Sequence, residues 1–309
     1  MAPLLRFVAG KILTPLALLL PISLFVVIAF SFVPGDPAQQ LLGHSWTPEA
    51  GKALRERLGL NDPILVQYAR FLWNAAHGDL GKSYMTSLPV VQAVSSALSN
   101  SLQLAGTALV ITVACGLSLG TLAALRKNSW LDLLSRVITI SFSSVPVFVV
   151  GIVLIYIFAA RLHILPSGGR GELKHLLLPA FALSFFSMAG FIRMTRATVL
   201  EVLRQDYIKA ARSRGISSRK IILRYVLRNA AIPLITLGGL YAGAMIGTAV
   251  VTEYIFAWPG LGTLTITAIQ SRDIPTIQGG ILATAGTYIM LNGVLDLLYG
   301  VIDPRTRAG

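Results

Sequence analysis

The chain has 309 residues, and its 26 Lys and Arg against 13 Asp and Glu give a formal net charge of +13. Only 13% of the residues are charged and 54% are hydrophobic, whereas soluble domains carry roughly 25% charged residues. This composition excludes a disordered chain, which requires low hydrophobicity, and argues against a soluble single domain.

Apolar runs divide the chain into predicted membrane spans. A bilayer core about 30 Å thick requires roughly 17 to 25 apolar residues in a helix. Six runs reach this length, and they are 12–33, 102–125, 137–160, 176–192, 230–252 and 274–302. The fourth contains Pro179, which membrane helices tolerate when neighbours satisfy the freed carbonyl. The sequence therefore predicts an all-α integral membrane protein with six transmembrane helices.

The first run, 12–33, follows Arg6 and Lys11 and so has the flanking charge of a secretory signal. It is longer than the apolar region of a typical signal peptide, and no small-residue cleavage site follows it. We interpret it as an uncleaved anchor.

The stretch 34–101 predicts a small helical cap outside the membrane. Thr47 followed by Pro48 has the pattern of an N-cap and a first helical residue, and Gly59 stops that helix. A second amphipathic segment follows Pro63. The cap either covers the ends of the spans or docks an external partner.

The second run contains Gly116, Ser118 and Gly120, which match the nucleophile pattern G-x-S-x-G. That pattern supports catalysis only on a strained turn between a strand and a helix, with a base in reach. Here it lies inside a predicted span, and the four histidines lie in predicted external loops or at a span edge. We expect a small-residue packing face, no catalytic residue and no enzyme.

Nucleotide and metal motifs are absent from the sequence. It contains no glycine-rich phosphate loop and no His or Cys pattern typical of a metal site. We therefore expect the chain to bind no metal or other cofactor, and any ATP to be hydrolysed by another chain. The single cysteine, Cys115, can form no internal disulfide.

The basic residues are concentrated in one loop, with ten of the 26 between Arg193 and Arg228. Basic loops mark the cytoplasmic side of a membrane. Loop 193–229 and both termini are therefore predicted to be cytoplasmic, and 34–101 external. Since this topology accounts for the basic cluster, the net charge does not imply a nucleic-acid partner.

Loop 193–229 is predicted to contain two helices. One continues from the membrane through Val199 to Arg214, Gly215 ends it, and Ser217 or Ser218 starts the next.

Tyr207, Ala210 and Ala211 are spaced to share one face of the first of these helices. A face with one aromatic and two small residues suits insertion into a groove of another protein, or packing on the spans of its own chain.

Three glycines, Gly239, Gly243 and Gly247, recur at every fourth residue of the fifth run. Another helix can approach the backbone closely there, so we favour packing within the protein or across a dimer over a substrate-lining role. Polar residues of other span faces are candidates for the wall of a translocation path, namely Ser141, Ser144 and Thr248.

Loop 193–229 resembles the EAA loop of type I ABC-importer permeases, the coupling helix that docks on an ATPase subunit. Ala210-Ala211 followed by Gly215 carry the resemblance, and Lys209 stands where the motif has glutamate. Other stretches resemble the B-type permeases of dipeptide, oligopeptide and nickel importers: Pro34-Gly35-Asp36-Pro37, Gly78-Asp79-Leu80-Gly81, Trp258-Pro259-Gly260-Leu261-Gly262, Arg272-Asp273-Ile274-Pro275 and Asp303-Pro304-Arg305.

The resemblance implies a permease subunit that forms half of the path of an ATP-driven importer for di- and oligopeptides. It implies four partners, which are a second homologous permease, two ATPase subunits or domains and an extracytoplasmic solute-binding protein, with ATP and Mg²⁺ used by the ATPases. The coupling residues it implies are Asp206, Tyr207, Ala210, Ala211, Arg212 and Gly215. No acidic role transfers to Lys209.

The implied architecture is a five-helix core over 102–302, preceded by an N-terminal helix over 1–33 and the cap 34–101, and followed by a cytoplasmic tail over 303–309. The implied location is the cytoplasmic membrane of a bacterium or archaeon. Nickel complexes or other small solutes are alternative substrates. An ion-coupled secondary transporter is disfavoured, because only Asp296 places an ionisable group inside a span.

Overall fold

This computed structural model describes residues 20, 21, 23–25, 27, 28 and 37–302, without the side chains of residues 37, 40, 44 and 296–302. The described part consists of helices joined by turns, with one isolated β-bridge between Lys82 and Pro89, which confirms the all-α fold. The helices are α1 Pro37–Leu42, α2 Pro48–Leu58, α3 Ile64–Ala76, α4 Val90–Leu125, α5 Trp130–Ser144, α6 Val147–Arg161, α7 Lys174–Leu203, α8 Asp206–Ser213, α9 Ser218–Ile255, α10 Leu261–Gln270 and α11 Ile274–Ile302.

Three described helices, α4, α7 and α9, are long and apolar enough to cross a membrane, and the pair α5 and α6 makes a fourth span if it is counted as one. These four cover the second to fifth predicted runs. The first run lies largely outside the described residues. α11 covers the sixth run as one helix of 29 residues. The count of six stays a prediction.

The predicted third span is bent sharply. α5 ends at Ser144, Val145 is extended with φ −93° and ψ 125°, and α5 and α6 meet at a bend of 106° after Pro146. A proline ring disfavours the helical conformation at the residue before it. The continuous helix predicted over 137–160 is therefore corrected to two helices.

The described residues divide into two compact units, one formed by those up to Ser101 with Pro259–Met290 and the other by Leu102–Trp258 with those from Leu291 to Ile302. In the first unit, the Thr47 hydroxyl accepts a hydrogen bond from the backbone of the first turn of α2 at 3.1 Å. Gly59 ends α2 with φ 67°. Both predicted ends of this helix are confirmed.

Asp273 connects the loop before α4 to the start of α11 within the first unit. Its buried carboxylate accepts hydrogen bonds from the Ser83 hydroxyl at 2.5 Å, the Tyr84 backbone N–H at 2.9 Å and the Thr276 hydroxyl at 2.7 Å. Three neutral donors thus satisfy a buried acidic group, which would otherwise be costly.

The second unit is built around α7, which packs against α5, α6 and α9. Two glycines of α4 also touch it: a Cβ would lie 2.7 Å from Phe191 at Gly116 and 2.6 Å from Thr195 at Gly120. No side chain fits there, so the predicted small-residue packing face is confirmed. Ser118 donates to a carbonyl one turn earlier in its own helix at 2.6 Å.

Candidate functional site

The segment after α7 is broken where we predicted a continuous helix. α7 ends at Leu203, Gln205 is extended with φ −65° and ψ 146°, and α8 begins at Asp206. The Gln205 carbonyl accepts a hydrogen bond from the Ile208 N–H at 3.1 Å, so Gln205 is the N-cap of a new helix. The helix dipole favours an acidic residue in a first turn, which suits Asp206 to this start.

One face of α8 is packed into its own chain. Ile208 is fully buried and Ala211 is 5% exposed, in an apolar cluster that includes Val199 of α7. By contrast, Tyr207 is 44% exposed and Ala210 is exposed as well. The docking face predicted from Tyr207, Ala210 and Ala211 is therefore corrected: Ala211 shares the packed side with Ile208, three residues before it.

The outer side of α8 combines charged and uncharged residues. Tyr207, Ala210 and Arg214 follow at i, i+3 and i+7 and are all exposed, so they form one uncovered face. Next to it, the Lys209 ammonium donates to the Asp206 carboxylate at 2.8 Å and lowers the pKa of that carboxyl. We call this side, with the exposed Arg212, the outer face of α8.

Gly215 ends the segment with φ 71°. Its N–H donates to the Arg212 carbonyl at 3.0 Å, and the Ile216 N–H donates to the Ala211 carbonyl at 3.2 Å. A Cβ at Gly215 would meet no described atom within 4 Å. Glycine is therefore required by the left-handed backbone and not by lack of space, which confirms the predicted helix stop.

A buried cluster of charged side chains joins the C-terminal part of α7 to α5. The Asp132 side chain is 1% exposed and accepts hydrogen bonds from Nε and Nη2 of Arg196 at 2.5 and 2.9 Å. Arg136 donates to the same carboxylate at 2.8 Å, and the Asn128 N–H at 3.0 Å. Buried pairing of this kind ties the first turn of α5 to α7 shortly before α8 begins. We call these four residues the Asp132 cluster.

This cluster is not predicted from the sequence, in which Arg136 and Arg196 contribute only to the charge that marks the cytoplasmic side. One signal was present: Asp132 and Arg136 are four residues apart, a spacing that pairs opposite charges on a helix. Arg196 is 64 residues from Asp132, so no local pattern could have joined them.

The glycine stripe of α9 packs only in part. Gly239 and Gly243 are buried, and a Cβ at Gly243 would lie 3.0 Å from Oδ1 of Asn292 in α11. The neighbour of Gly243 within this chain is thus a side chain of α11. Gly247 is exposed, and a Cβ there would have no described atom within 4 Å. The stripe is not one continuous packing face within this chain.

The candidate path residues Ser141, Ser144 and Thr248 are exposed. The Ser144 hydroxyl donates to a carbonyl of its own helix at 2.9 Å, and the Thr248 hydroxyl does so at 3.0 Å. A hydroxyl that donates to its own helix can still accept a further hydrogen bond. Their assignment to a path stays a prediction.

Among the described side chains, no group of three or more His, Cys, Asp or Glu residues is placed to hold a metal ion. The chemistry that the arrangement offers is protein contact: an uncovered helix face of mixed charge, held by a buried apolar face and a buried ion cluster.

Sequence comparison finds relatives over nearly the whole chain. Residues 116–308 match the family described as binding-protein-dependent transport system inner membrane component, and residues 4–105 match its N-terminal segment family. A dipeptide transport system permease protein of Alkalihalophilus pseudofirmus is 37% identical and covers 94% of this chain and 97% of its own. A glutathione transport system permease protein of Escherichia coli strain K12 is 36% identical over 98% of this chain and 99% of its own.

A solved inward-facing methionine ABC transporter contains a chain of similar fold. The two superpose with a TM-score of 0.56 at 16% identity, over 69% of this chain and 97% of the other. At this identity the likeness concerns the fold alone.

Proposed function

The chain belongs to the family of binding-protein-dependent transport system inner membrane components, and from this premise we propose that it forms half of the translocation path of an ATP-driven importer of di- and oligopeptides. The observation that carries the proposal is its similarity, over nearly full length, to a dipeptide and a glutathione permease. Family membership makes the chain a multi-pass, non-enzymatic membrane component.

The peptide substrate is supported by the chemistry that the two relatives' names share. Glutathione is a tripeptide, so both names describe a short peptide with a free carboxylate. A nickel complex has no such support.

The partners we assign are a second homologous permease, two ATPase subunits or domains and an extracytoplasmic solute-binding protein. ATP and Mg²⁺ are used by the ATPases. The outer face of α8 is assigned to the ATPase contact, because Tyr207 and Ala210 are uncovered there while Ile208 and Ala211 fix the helix to its own chain.

The mechanism follows from how α8 is attached. ATP binding draws the ATPases together and displaces α8. Because α8 packs against α7 and α9 through Ile208 and Ala211, and the Asp132 cluster ties α7 to α5, the displacement passes to these helices together. The translocation path then opens outward and receives peptide from the binding protein. ATP drives this change only through contacts that differ between the two states.

The proposal includes a topology. Loop 193–229 and both termini face the cytoplasm and the cap 34–101 faces outside, as the distribution of basic residues supports. An Ala50→Cys variant in a Cys115→Ser background should be labelled by a membrane-impermeant reagent in intact cells. Labelling only after lysis would overturn this orientation.

The transport test uses the complete complex in lipid vesicles. ATP-dependent uptake is measured for a labelled dipeptide, glutathione and a nickel chelate, with and without the binding protein. We expect uptake of peptides that requires both ATP and the binding protein. Uptake of the nickel chelate alone would contradict the peptide assignment. ATP hydrolysis by the isolated chain would contradict the assignment of hydrolysis to separate ATPase subunits.

A further inference from the structure

Two arginines one turn apart on α7 have different surroundings. Arg196 is paired with Asp132. Arg193 is exposed, and its described hydrogen bond is donated by Nη1 to the Ser143 hydroxyl of α5 at 2.8 Å. No ion pair among the described residues includes Arg193. One arginine is thus paired with a carboxylate, and the other has no described acidic partner.

Arg193 stands at the edge of the apolar part of α7. It directly follows the charge-free run 176–192, and α7 continues beyond it to Leu203. Charged side chains inside a span face a bundle interior or a watery cavity and pair with an opposite charge, whereas arginines near the end of a span extend toward the interface. Among the described side chains no carboxylate pairs with Arg193, and an anionic ligand would supply the opposite charge there.

The surroundings of Arg193 continue along α9. The Tyr241 hydroxyl occupies the space that a Cβ at Gly190 would take, one turn before Arg193. Ala244 and Thr248 follow Tyr241 at i+3 and i+7 and are both exposed. We call Arg193, Tyr241, Ala244 and Thr248 the Arg193 strip; along α9 it extends about 10 Å at 1.5 Å per residue.

The composition of the strip suits an extended polar ligand. Ala244 is small, the neighbouring Gly247 has open space around it, and Thr248 carries a hydroxyl at the far end. The strip therefore offers a cation at one end, a shallow surface in the middle and a hydrogen-bonding group at the other end.

We propose that Arg193 binds a carboxylate of the transported peptide, at the end of the path nearer α8. This inference rests on the proposed function and adds to it the group of the substrate that is recognised. A guanidinium matches a carboxylate with two parallel hydrogen bonds, and these gain strength where water is scarce. The Ser143 hydroxyl, as acceptor, orients the guanidinium and leaves its other N–H groups for the peptide.

Three sources could supply the anion: the C-terminal carboxylate, an acidic side chain of the peptide, or the phosphate of a lipid headgroup. The complete complex in vesicles distinguishes them. Maximal uptake rates are measured, with saturating binding protein, for a neutral dipeptide, its C-terminal amide, and the amide of a dipeptide that contains glutamate. Because every complex contains the same binding protein, discrimination by that protein cancels between variants.

Four variants form the comparison. Arg193→Gln should lower the rate for the neutral dipeptide at least about tenfold and change the rate for its amide little, since hydrogen bonds to charged groups are worth about one power of ten or more. Arg193→Lys should keep most of the rate. Met194→Gln, which places the same side chain one residue along, should keep the preference for the free acid. Ser143→Ala, which removes the acceptor that orients the guanidinium, should reduce this preference. If Arg193→Gln also lowers the uptake rate of the glutamate-containing amide, carboxylates of peptide side chains bind at the same site.

Several results would overturn the inference. One is an equal fall of acid and amide in Arg193→Gln, and another is an Arg193→Lys rate no better than that of Arg193→Gln. If the binding protein does not bind the amides, the uptake rates of the free dipeptide by Arg193→Lys and Arg193→Gln are sufficient to test the proposal. A loss seen in phosphatidylglycerol vesicles but not in phosphatidylcholine vesicles would assign Arg193 to lipid headgroups. Failure of the wild-type complex to transport any peptide would instead contradict the proposed function.

Discussion

The two sides of α8 are built for different contacts. Toward its own chain, Ile208 and Ala211 are buried, and the adjoining α7 is anchored by Asp132. Away from it, Tyr207 and Ala210 are exposed beside an exposed ion pair. A helix that transmits movement from the ATPases to the membrane helices needs both sides. The inner contacts hold α8 on α7 and α9, and the outer contacts bind the ATPase that moves it.

The contrast between the two sides makes it possible to separate folding from coupling in this chain. A substitution on the inner side should lower stability and therefore abundance, whereas one on the outer side should leave the chain folded but uncoupled from its ATPases. Membrane abundance and copurification of the ATPase subunits distinguish the two outcomes.

The largest effect is expected from Ala211→Glu, on the inner side of α8. It places an unpaired charge and extra volume among Ile208 and Val199, at a cost of about 4 kcal/mol. We expect the chain to be depleted from the membrane. Thermal unfolding of the purified complex and the amount of chain per membrane provide the measurements.

The matched variant Ala210→Glu makes the same chemical change one residue along, on the exposed side. We expect normal abundance with lost ATPase copurification or lost substrate-stimulated hydrolysis. If both variants fold and only Ala211→Glu uncouples, the inner and outer sides have been assigned the wrong way round.

The second effect concerns the Asp132 cluster. Asp132→Ala leaves the guanidinium of Arg196, whose side chain is 22% exposed, without its carboxylate. Breaking a buried ion pair by removing one partner costs about 3 kcal/mol, so the unfolding temperature of the complex should fall clearly.

Asp206→Ala serves as the control, because it also removes a carboxylate paired with a basic residue, but at an exposed site. It should leave the unfolding temperature unchanged. Equal effects of the two substitutions would mean that the Asp132 cluster does not hold the helices together.

The sequence predicted the local features of this region and missed those that depend on tertiary contacts. Gly215 and the cap of α2 follow from backbone preferences that a few residues determine. The inner side of α8 does not: Tyr207, Ala210 and Ala211 have helical spacing for one face, and only packing against α7 decides that Ala211 is buried and Ala210 is not.

The glycine patterns show the same limit. The same small-residue spacing occurs in α4 and α9, yet Gly120 lies against Thr195 of α7 while Gly247 has open space. Spacing identifies a face that allows close approach, but the neighbour is selected by the rest of the fold.

The break at Pro146 was predictable in principle, since a proline restricts the residue before it.

The third effect tests the close packing of α4 against α7. A Cβ at Gly120 would lie 2.8 Å from the backbone oxygen of Ile192, which cannot move away as a side chain could. Gly120→Ala should therefore cost about 2 kcal/mol through overpacking. Gly106 lies in the same helix, and a Cβ there would meet no described atom within 4 Å, so Gly106→Ala should leave stability unchanged or slightly higher. Equal thermal stability of the two variants would show that α4 and α7 are not in direct contact.

The smallest effect is expected at Gly215, where the backbone alone is tested. Its φ is 71° and a Cβ would meet no described atom within 4 Å, so a substitution introduces strain without a clash. A β-branched residue is a poor fit to this left-handed conformation, at a cost of about 1 to 2 kcal/mol. Gly215→Val should therefore shift the turn that orients α8.

Asparagine adopts the left-handed conformation more readily than valine does, so Gly215→Asn separates backbone strain from any effect of side-chain size. We expect Gly215→Val to reach the membrane in near-normal amounts but to lose much of its substrate-stimulated ATP hydrolysis, and Gly215→Asn to keep most of it. Such a difference would mean that the angle of α8, and not only its outer face, governs coupling. If complexes with either variant hydrolyse ATP like the wild type, the turn at Gly215 only reverses the chain direction, and the segment that transmits movement ends at Ser213.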